Sequence, residues 1–333
     1  MVSPGKASRK GGSLLTYFLA FLAACANAAA SVLQRKANRN EPGGDNLSLR
    51  LVAHLLHRPV WFAGVLAVTV GFILQATALG GGQLSVVEPI LASELPITLI
   101  LAAVVFHSRL RRREWGSALA MTAGLVGLLY FLSPSPGRSE NIAWYTWVFG
   151  LGINLGVIAA LVAVGRVQSG PRRAALLGTA AGAGFGLTAA LMKGMTNAFS
   201  HGFPALFTSW ELYAMIIAGA LSMFLLQSAM NAGRLLAAQP GITLTDPVVS
   251  ILWGVLAFQE GTRGGVYLLL AVLAGLVMSV AVLSLTRSPL LQDDEAGRTE
   301  EDQREQRSAP GRTPSDDRLT ERPSRVIHDR EPR

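Results

Sequence analysis

Three carboxylates lie inside long apolar segments of this sequence and are its best candidates for chemistry. Glu94 and Asp246 each stand ten residues after the start of an apolar run, about 15 Å into a helix at ~1.5 Å per residue. Glu88 lies only about 6 Å in, where water reaches easily. An acid at the bilayer centre costs about 2.5–3.5 kcal/mol and normally faces a partner or a wet cavity. We predict that Glu94 and Asp246 bind a proton or a cation, with Glu88 as a further site residue. Hydrogen bonding to neighbours such as Ser93 or Thr245 is the structural alternative.

Prolines accompany the acids in the same segments. Pro96 removes the backbone donor to Ala92, and Pro247 removes the donor to Thr243. Each freed carbonyl is within about one turn of an acid, and broken helices beside carboxylates make oxygen-rich sites for cations or protonated amines. The positions at which we expect helix breaks are Pro89, Pro96, Pro240 and Pro247.

Uncharged polar residues inside the apolar runs are the candidate substrate contacts. Gln75, Gln227 and Asn154 fall well within these runs. Interhelical hydrogen bonding is the alternative role for each of them. Lys193 lies nearer a helix end, where we expect its ammonium to reach the membrane interface. The metal, if any, is left unknown, and no cofactor is expected.

The composition predicts a helical membrane protein. Half of the 333 residues are apolar, only 15% are charged, and the mean hydropathy is +0.39. A soluble chain carries a charged fraction nearer a quarter. Runs of about twenty apolar residues each suffice to cross ~30 Å of hydrocarbon. The expected spans are 13–33, 59–80, 84–106, 116–133, 142–165, 174–192, 211–232, 235–258 and 265–285.

The number of spans depends on residues 46–58. This segment is short and charged, and it is either a second spanning helix or an interfacial amphipathic helix. A spanning helix gives ten crossings and a cytoplasmic N-terminus, which the basic residues near Lys6 and Lys10 favour. An interfacial helix gives nine crossings and an outside N-terminus, which Arg35 and Lys36 favour. We expect an all-α polytopic bundle of about ten helices.

The central hydrophobic hairpin of the chain occurs twice. Pro89 and Pro96 match Pro240 and Pro247 at a shift of 151 residues, whereas the two glutamines match at 152. Five expected spans lie between the start of the first copy, at 59, and the start of the second, at 211, so the repeat is inverted in the membrane, as in many secondary transporters. Glu94 and Asp246 differ by about 100° in helical phase and need not form one site. The organisation expected is a cytoplasmic segment at 1–12, repeats at 13–133 and 142–285, and a tail at 286–333.

Loop charge predicts the orientation of the bundle. One side carries Arg109, Arg111, Arg112, Arg113, Arg166, Arg172, Arg173 and Arg234, and the other carries Arg138, Lys193 and Arg263. The richer side is cytoplasmic by the positive-inside rule. The tail on that side holds ten arginines and twelve acids and almost no apolar residues, so we expect it to be disordered. The basic loops contact lipid head groups, and no basic face with interleaved aromatics indicates nucleic-acid binding.

Glycine rows predict close helix packing. Gly178, Gly182 and Gly186 recur at fourfold spacing, and Gly152 and Gly156 repeat it. Small residues at this spacing let helix backbones approach closely in lipid. Packing within one bundle is the expected role, and the seam of a homodimer is the alternative.

No enzyme signature is present in the sequence. Gly80, Gly81 and Gly82 lack the following Lys-Ser/Thr of a phosphate-binding loop, and no Gly-x-Ser-x-Gly elbow occurs. The single cysteine, Cys25, excludes an intrachain disulfide and a cysteine-built metal site. We expect a protein that is not an enzyme and that carries no nucleotide-driven motor.

The duplicated hairpins resemble those of the drug/metabolite transporter superfamily, in its EamA-like group. The segments Trp61-Phe-Ala-Gly64 and Leu84-Ser-Val-Val-Glu-Pro-Ile90 are also similar to the NIPA-type proteins implicated in magnesium transport. The resemblance covers 13–285 and implies two inverted five-helix repeats around a central substrate site. The Gly-Glu pair that often ends the fourth helix of EamA-like repeats is matched only by Glu260.

These observations favour a secondary transporter that exports a small metabolite or cation by alternating access. A magnesium transporter is the alternative within this class. A non-transporting scaffold that acts through its cytoplasmic tail is the alternative from another class. Arginine outnumbers lysine 25 to 4, which fits a GC-rich bacterial genome and hence a multi-pass protein of the plasma membrane.

Overall fold

A computed structural model describes residues 5–38, 59–107, 110–137, 142–233 and 235–285. The expected second helix at 46–58 and the tail at 286–333 lie outside this part of the chain. The helices are α1 Gly5–Asn38, α2 Pro59–Gly81, α3 Leu84–Leu91, α4 Glu94–Val105, α5 Arg112–Leu132, α6 Trp144–Arg166, α7 Gly170–Phe199, α8 Phe203–Thr208, α9 Trp210–Ala232, α10 Leu235–Leu256 and α11 Val266–Leu285.

The described residues form an all-helical membrane bundle. Eight helical segments in these ranges are long and apolar enough to cross a membrane, with α3 and α4 together making one. α10 is outside that set of eight, and its 22 residues would span ~33 Å at ~1.5 Å per residue. It contains the polar residues Gln239, Thr243, Thr245 and Asp246 among apolar ones. A multi-pass helical membrane protein is therefore confirmed.

α1 and α2 pack against each other as an antiparallel pair. Thr16, near the start of α1, packs on Gly82, just beyond the end of α2. Gln34, near the end of α1, packs on Gly64, near the start of α2. The chain therefore leaves α1 and enters α2 at the same end of the bundle.

α7 is the most buried long helix because glycine and alanine line it. Its glycine row packs directly on the α10 backbone, where the residues nearest the three glycines are Ala238, Ile242 and Asp246. A Cβ at Gly178, Gly182 or Gly186 would collide with those backbone atoms. Packing within one bundle is thus confirmed for this row, and the reason is that both helices repeat every four residues.

The second glycine row behaves differently. Gly152 and Gly156 lie on an exposed face of α6, and an added Cβ would meet no atom of the described chain within 4 Å. The expectation that they pack within the bundle is therefore wrong. α6 presents mostly large apolar side chains on this face, such as Phe149 and Ile153, which suit lipid contact. The homodimer stays a prediction.

Several connections meet at one end of the bundle. The backbone of Gly82 contacts Lys193, near the end of α7, and the start of α3 contacts Glu260, between α10 and α11. Ser135, after α5, forms an antiparallel bridge with Gly261 through two backbone hydrogen bonds. These are the connections that loop charge predicts to be extracytoplasmic. We call this end the outer end.

The opposite end collects the connections that loop charge predicts to be cytoplasmic. Gly170, at the start of α7, packs on Gly233, between α9 and α10. Leu110, before α5, packs against a buried apolar cluster that includes Leu285, the last residue of α11. The connections at each end of the bundle are therefore the same ones that loop charge predicts to lie on one side of the membrane.

Candidate functional site

α3 and α4 form one membrane segment that is interrupted by a turn at Ala92 and Ser93. The expected helix break is confirmed here. The carbonyl of Ala92, which Pro96 was expected to leave free, instead accepts the backbone N–H of Leu95 at 3.3 Å. The break therefore redirects the chain without leaving that carbonyl open to a ligand.

The prolines of α10 have a different outcome. Pro240 and Pro247 lie inside a helix that runs unbroken from Leu235 to Leu256, and Pro89 likewise lies inside α3. A broken helix beside the acid is thus right for the first copy of the hairpin and wrong for the second. α10 remains continuous because α7 packs closely along it, and tertiary packing of this kind supports a helix from which prolines remove single hydrogen bonds.

Glu88 is buried in the centre of α3, and only 4% of it is exposed. The Gln75 side-chain amide, on α2, donates to Glu88 Oε1 at 3.0 Å. The expectation that water reaches Glu88 easily is wrong because every residue of α3 is buried. Sequence depth placed this residue near the end of a span but could not show that neighbouring helices enclose it.

Glu94, the first residue of α4, is half-buried and faces α1. Ser31 Oγ donates to Glu94 Oε1 at 3.3 Å, and the Asn27 side chain also hydrogen-bonds to the carboxylate. Sequence reasoning missed both α1 residues. The available signal was their polarity and fourfold spacing within an alanine-rich helix, which puts them on one face.

Asp246, on α10 in the second half of the chain, contributes a third carboxylate to the region of Glu88 and Glu94. Ser250, one turn later on α10, donates weakly to Asp246 Oδ1 at 3.5 Å. The carboxylates of Glu88 and Glu94 each lie close enough to Asp246 to interact with it electrostatically. We call Glu88, Glu94 and Asp246 the carboxylate cluster. The difference of about 100° in helical phase does not separate these acids, because the turn between α3 and α4 changes the direction of Glu94.

In the described part of the chain, the carboxylate cluster has no basic counterpart. Within the residues that the structure describes, no lysine or arginine forms an ion pair with any of its members. No set of three His, Cys, Asp or Glu side chains in those ranges is arranged to hold a metal ion. Like charges that interact in the membrane interior repel each other, so the arrangement suits a transient cation or protonation better than a permanent metal.

The predicted amide contacts divide into three outcomes. Gln75 joins the cluster through Glu88, whereas Gln227 is on the exposed side of α9. The shift of 152 rather than 151 turns Gln227 by about 100° about its helix axis, which moves it off the equivalent face. Asn154 is 8% exposed, and neither its amide oxygen nor the Thr98 hydroxyl finds a hydrogen-bond partner among the described residues. Both are polar groups that a ligand or water could satisfy.

A cavity of about 390 Å³ lies beside the α3–α4 turn. Its lining is almost entirely apolar and includes Ser93 from the turn, Pro96 from α4, Tyr17 and Phe21 from α1 and Trp115 from α5. The lining residues flank Glu94 in sequence on both sides. Glu94 itself is not among the lining residues, and an apolar volume of this size suits a small molecule that has a hydrophobic body.

A second polar site lies at the outer end, and the sequence did not predict its pairing of Lys193 with Glu260. Lys193 was expected to reach the membrane interface, but it is buried, and its Nζ lies 3.2 Å from Glu260 Oε1. The correction has a simple physical reason. A carboxylate and a backbone carbonyl inside the protein, those of Glu260 and Gly82, bind the ammonium in place of water.

Comparisons with known proteins leave the function open. An uncharacterized protein of Corynebacterium glutamicum is 29% identical to this chain over 280 residues, which cover 83% of this chain and 96% of that protein. No family model matches the sequence, and no solved structure matches it. The match covers nearly all of that protein, whose printed name assigns no activity.

Proposed function

We propose that this protein is a secondary-active transporter that moves a small cationic metabolite or a cation across the membrane by alternating access. The observation that carries the proposal is the carboxylate cluster, in which acids from two halves of the chain interact within the bundle and none of the described lysines or arginines forms an ion pair with them. An uncompensated acid inside a membrane normally marks an ion or substrate pathway. A bound cation or proton would supply the missing positive charge in part of the cycle.

An inverted repeat is supported by matching contacts in the two halves. Thr16 of α1 packs on Gly82, and Ala174 of α7 packs on Gly233. Thr16 and Ala174 are 158 residues apart in the sequence, and Gly82 and Gly233 are 151 residues apart. The same shift of 158 relates the glycine row of α7 to the fully buried row of Ala20, Ala24 and Ala28 in α1. α1 and α7 therefore occupy equivalent positions in our proposal.

This equivalence changes the organisation expected from the sequence. The repeats become α1–α5 and α7–α11, and α6 is the connecting helix that inverts the second repeat. Because α1 ends and α2 begins at the same end of the bundle, the packing supports nine crossings rather than ten, with the start of α1 outside and the end of α11 inside. Arg35 and Lys36 then lie on the basic, cytoplasmic side.

The resemblance to the drug/metabolite transporter superfamily adds to the proposal. An inverted repeat with a site between its halves is the architecture that the resemblance implies. The relative in Corynebacterium glutamicum and the arginine-rich composition support a bacterial inner membrane, with the C-terminal end of α11 facing the cytoplasm. Export of a small metabolite remains the preferred direction of transport.

Flux measurements in sealed proteoliposomes test the proposal. The parent protein is compared with Asp246→Asn and Glu94→Gln, using an internal pH dye, a magnesium-sensitive dye and a panel of amines and amino acids. We expect flux of at least one cation or amine in the parent and background flux in both variants, because each substitution removes a charge from the carboxylate cluster. Glu211→Gln, which neutralises an acid at the outer end of α9, is the matched control and should retain flux.

Two results would contradict the proposal. Parent protein that moves no tested species, while it remains folded and correctly inserted, would favour the scaffold that acts through its tail. Cluster variants that transport like the parent would make the three acids structural. Circular dichroism and size-exclusion elution of each variant establish folding independently of flux.

Magnesium is the second candidate cargo, and the clustering of three acids favours it. Mg²⁺ commonly keeps several waters and binds through one or two carboxylates, so a hydrated ion does not require three direct protein ligands. The magnesium dye separates this candidate from an amine or a proton. A magnesium flux that disappears in Asp246→Asn would identify the ion, and an amine flux without magnesium flux would exclude it.

A further inference from the structure

Lys193 and Glu260 form a fully satisfied polar site within the outer end of the bundle. Their side chains are 4% and 1% exposed, and Lys193 Nζ lies 3.2 Å from Glu260 Oε1. The ammonium also donates to the carbonyl of Gly82 and lies 5.2 Å from the ring centroid of Phe258. All three donors of the lysine therefore have an acceptor or an aromatic face.

Glu260 also holds the first turn of α3. The backbone N–H groups of Leu84 and Ser85 donate to its two oxygens at 2.7 and 2.9 Å, and the Ser85 hydroxyl donates to Oε2. A helix N-terminus has unpaired N–H groups and a partial positive charge, so an anion there is strongly bound. The carboxylate thus joins the α10–α11 connection to α3, and Lys193 joins both to α7.

The backbone around this site is packed closely enough to seal it. A Cβ at Gly254 would collide with the Glu260 carboxylate, and one at Gly137 would collide with the backbone of Phe258 and Glu260. Trp147 packs on Phe258 with ring centroids 6.1 Å apart. Four parts of the chain therefore close the outer end together: the connection after α5, the ends of α7 and α10, and the start of α3.

α3 links this closure to the carboxylate cluster. It is an eight-residue helix, held at its first turn by Glu260, and it carries Glu88 one turn after Leu84. It ends at the turn of Ala92 and Ser93, where the segment changes direction. A short rigid helix between an anchored end and a turn can swing about the turn when the anchor releases.

We propose that Lys193 and Glu260 form the outer gate latch of the transport cycle, which holds α3 in place while the pathway is closed to the outside and separates when it opens. This inference rests on the proposed function. The latch places Glu88 inside the closed protein, and its separation frees α3 to expose the cluster outward.

The two ends of the bundle differ in a way that makes the latch one-sided. At a shift of 158 residues, Arg35 is equivalent to Lys193. At the shift of 152 residues that aligns His107 with Gln259, both of which have positive φ, Ser108 is equivalent to Glu260. Serine cannot form an ion pair with arginine, so the sequence predicts no equivalent ion pair at these two positions of the inner end. The protein at rest is therefore closed to the outside, and opening that side requires the ion pair to break.

Sided cysteine labelling tests the latch without a transport assay. Cys25→Ala removes the one native thiol, and Ser250→Cys places a nearly isosteric reporter beside Asp246. A membrane-impermeant cationic methanethiosulfonate is added from outside to oriented vesicles. We expect slow labelling in this background and labelling at least ~10-fold faster after Lys193→Met and Glu260→Gln together, the ratio that ~1.4 kcal/mol produces.

Three further variants complete the design. Glu211→Gln removes another acid at the outer end and should leave the rate unchanged, whereas Thr208→Cys, exposed on α8, gives the rate for an open site. Ser85→Ala removes one donor to Glu260 and should raise the rate by a smaller factor, which keeps the test usable if the double variant does not fold. Rates equal to the background in both folded latch variants would overturn the latch. Because labelling needs no flux, that result is separate from a failure of the transport proposal.

Discussion

The latch and the carboxylate cluster contain the same kind of side chain in opposite electrostatic situations. Glu260 accepts two backbone N–H groups, a hydroxyl and an ammonium, so its charge is balanced within the protein. Glu88 accepts one amide N–H from Gln75 and has Asp246 as its electrostatic neighbour. Burial alone therefore does not identify a functional acid. The balance of charge around the acid separates a structural contact from a site that awaits a cation.

The comparison also separates short, enclosed contacts from longer contacts that a cargo can exchange. The latch draws its partners from three places in the chain, through short contacts with little exposed surface. The cluster draws on five helices, α1 to α4 and α10, through longer contacts such as the 3.3 Å bond from Ser31 and the 3.5 Å bond from Ser250. A site that must bind and release a cargo needs contacts that can be exchanged, and weak hydrogen bonds meet that need.

The largest expected effect is on stability at the latch. Glu260→Gln leaves the Lys193 ammonium buried without its anion, and breaking a buried pair in this way typically costs about 3–5 kcal/mol. Glu88→Gln, in contrast, retains the acceptor for Gln75 and removes a repulsion, so we expect no loss of stability. Thermal unfolding in detergent compares the two. Equal losses in both variants would break the distinction between the sites.

A double variant sharpens the same comparison. Lys193→Met with Glu260→Gln removes both charges, so we expect it to recover most of the stability that the single Glu260→Gln loses, a coupling of about 2–4 kcal/mol. The measurement is a double-mutant cycle of unfolding free energies that includes Lys193→Met alone. Additive losses would mean that the two side chains stabilise the protein independently and that no latch exists.

Ligand-dependent stability should follow the cluster rather than the latch. A cation that binds the folded state at 100 times its dissociation constant adds about 2.7 kcal/mol of stability. We expect the species identified by flux to raise the unfolding temperature of the parent and of Ser85→Ala, but not of Asp246→Asn. Unfolding with and without that species is the measurement. An equal rise in Asp246→Asn would remove the cluster from the binding site.

The smallest expected effect distinguishes the two glutamines. Gln75→Leu removes a hydrogen bond to Glu88 worth about 0.5–1.5 kcal/mol, so we expect the apparent substrate affinity to fall by about 2- to 13-fold. Gln227→Leu is the matched variant, and its exposed position on α9 predicts no change. Concentration-dependent flux gives both values. A larger effect at Gln227 than at Gln75 would contradict the assignment of Gln75 to the site.

Much of the fold follows from the sequence because membrane helices are specified by local properties. Run length and hydropathy predicted the helices, and the expected spans agree with α2, α6, α9 and α11 to within a few residues. The break near Pro96 was also predictable, since proline removes a backbone donor wherever it stands. The continuity of α10 through Pro247 was not, because it depends on a neighbouring helix.

The candidate site was predictable as a set of residues but not as an arrangement. Depth in an apolar run identified Glu94 and Asp246 without any knowledge of their neighbours. The partners Ser31 and Asn27 come from a helix more than fifty residues away, and no local pattern links them to Glu94. The pairing of Lys193 with Glu260 spans a similar distance and was missed for the same reason.

The sequence by itself determined that this is a helical membrane protein, that acids lie within its apolar segments and that its basic loops fall on one side. Those properties depend on the transfer of each segment from water to lipid, which is a sum over local residues. Only the tertiary structure decided which acids remain uncompensated and which are paired. That outcome depends on which distant helix faces each carboxylate, and a rotation of about 100° at a single position, as at Gln227, is enough to change it.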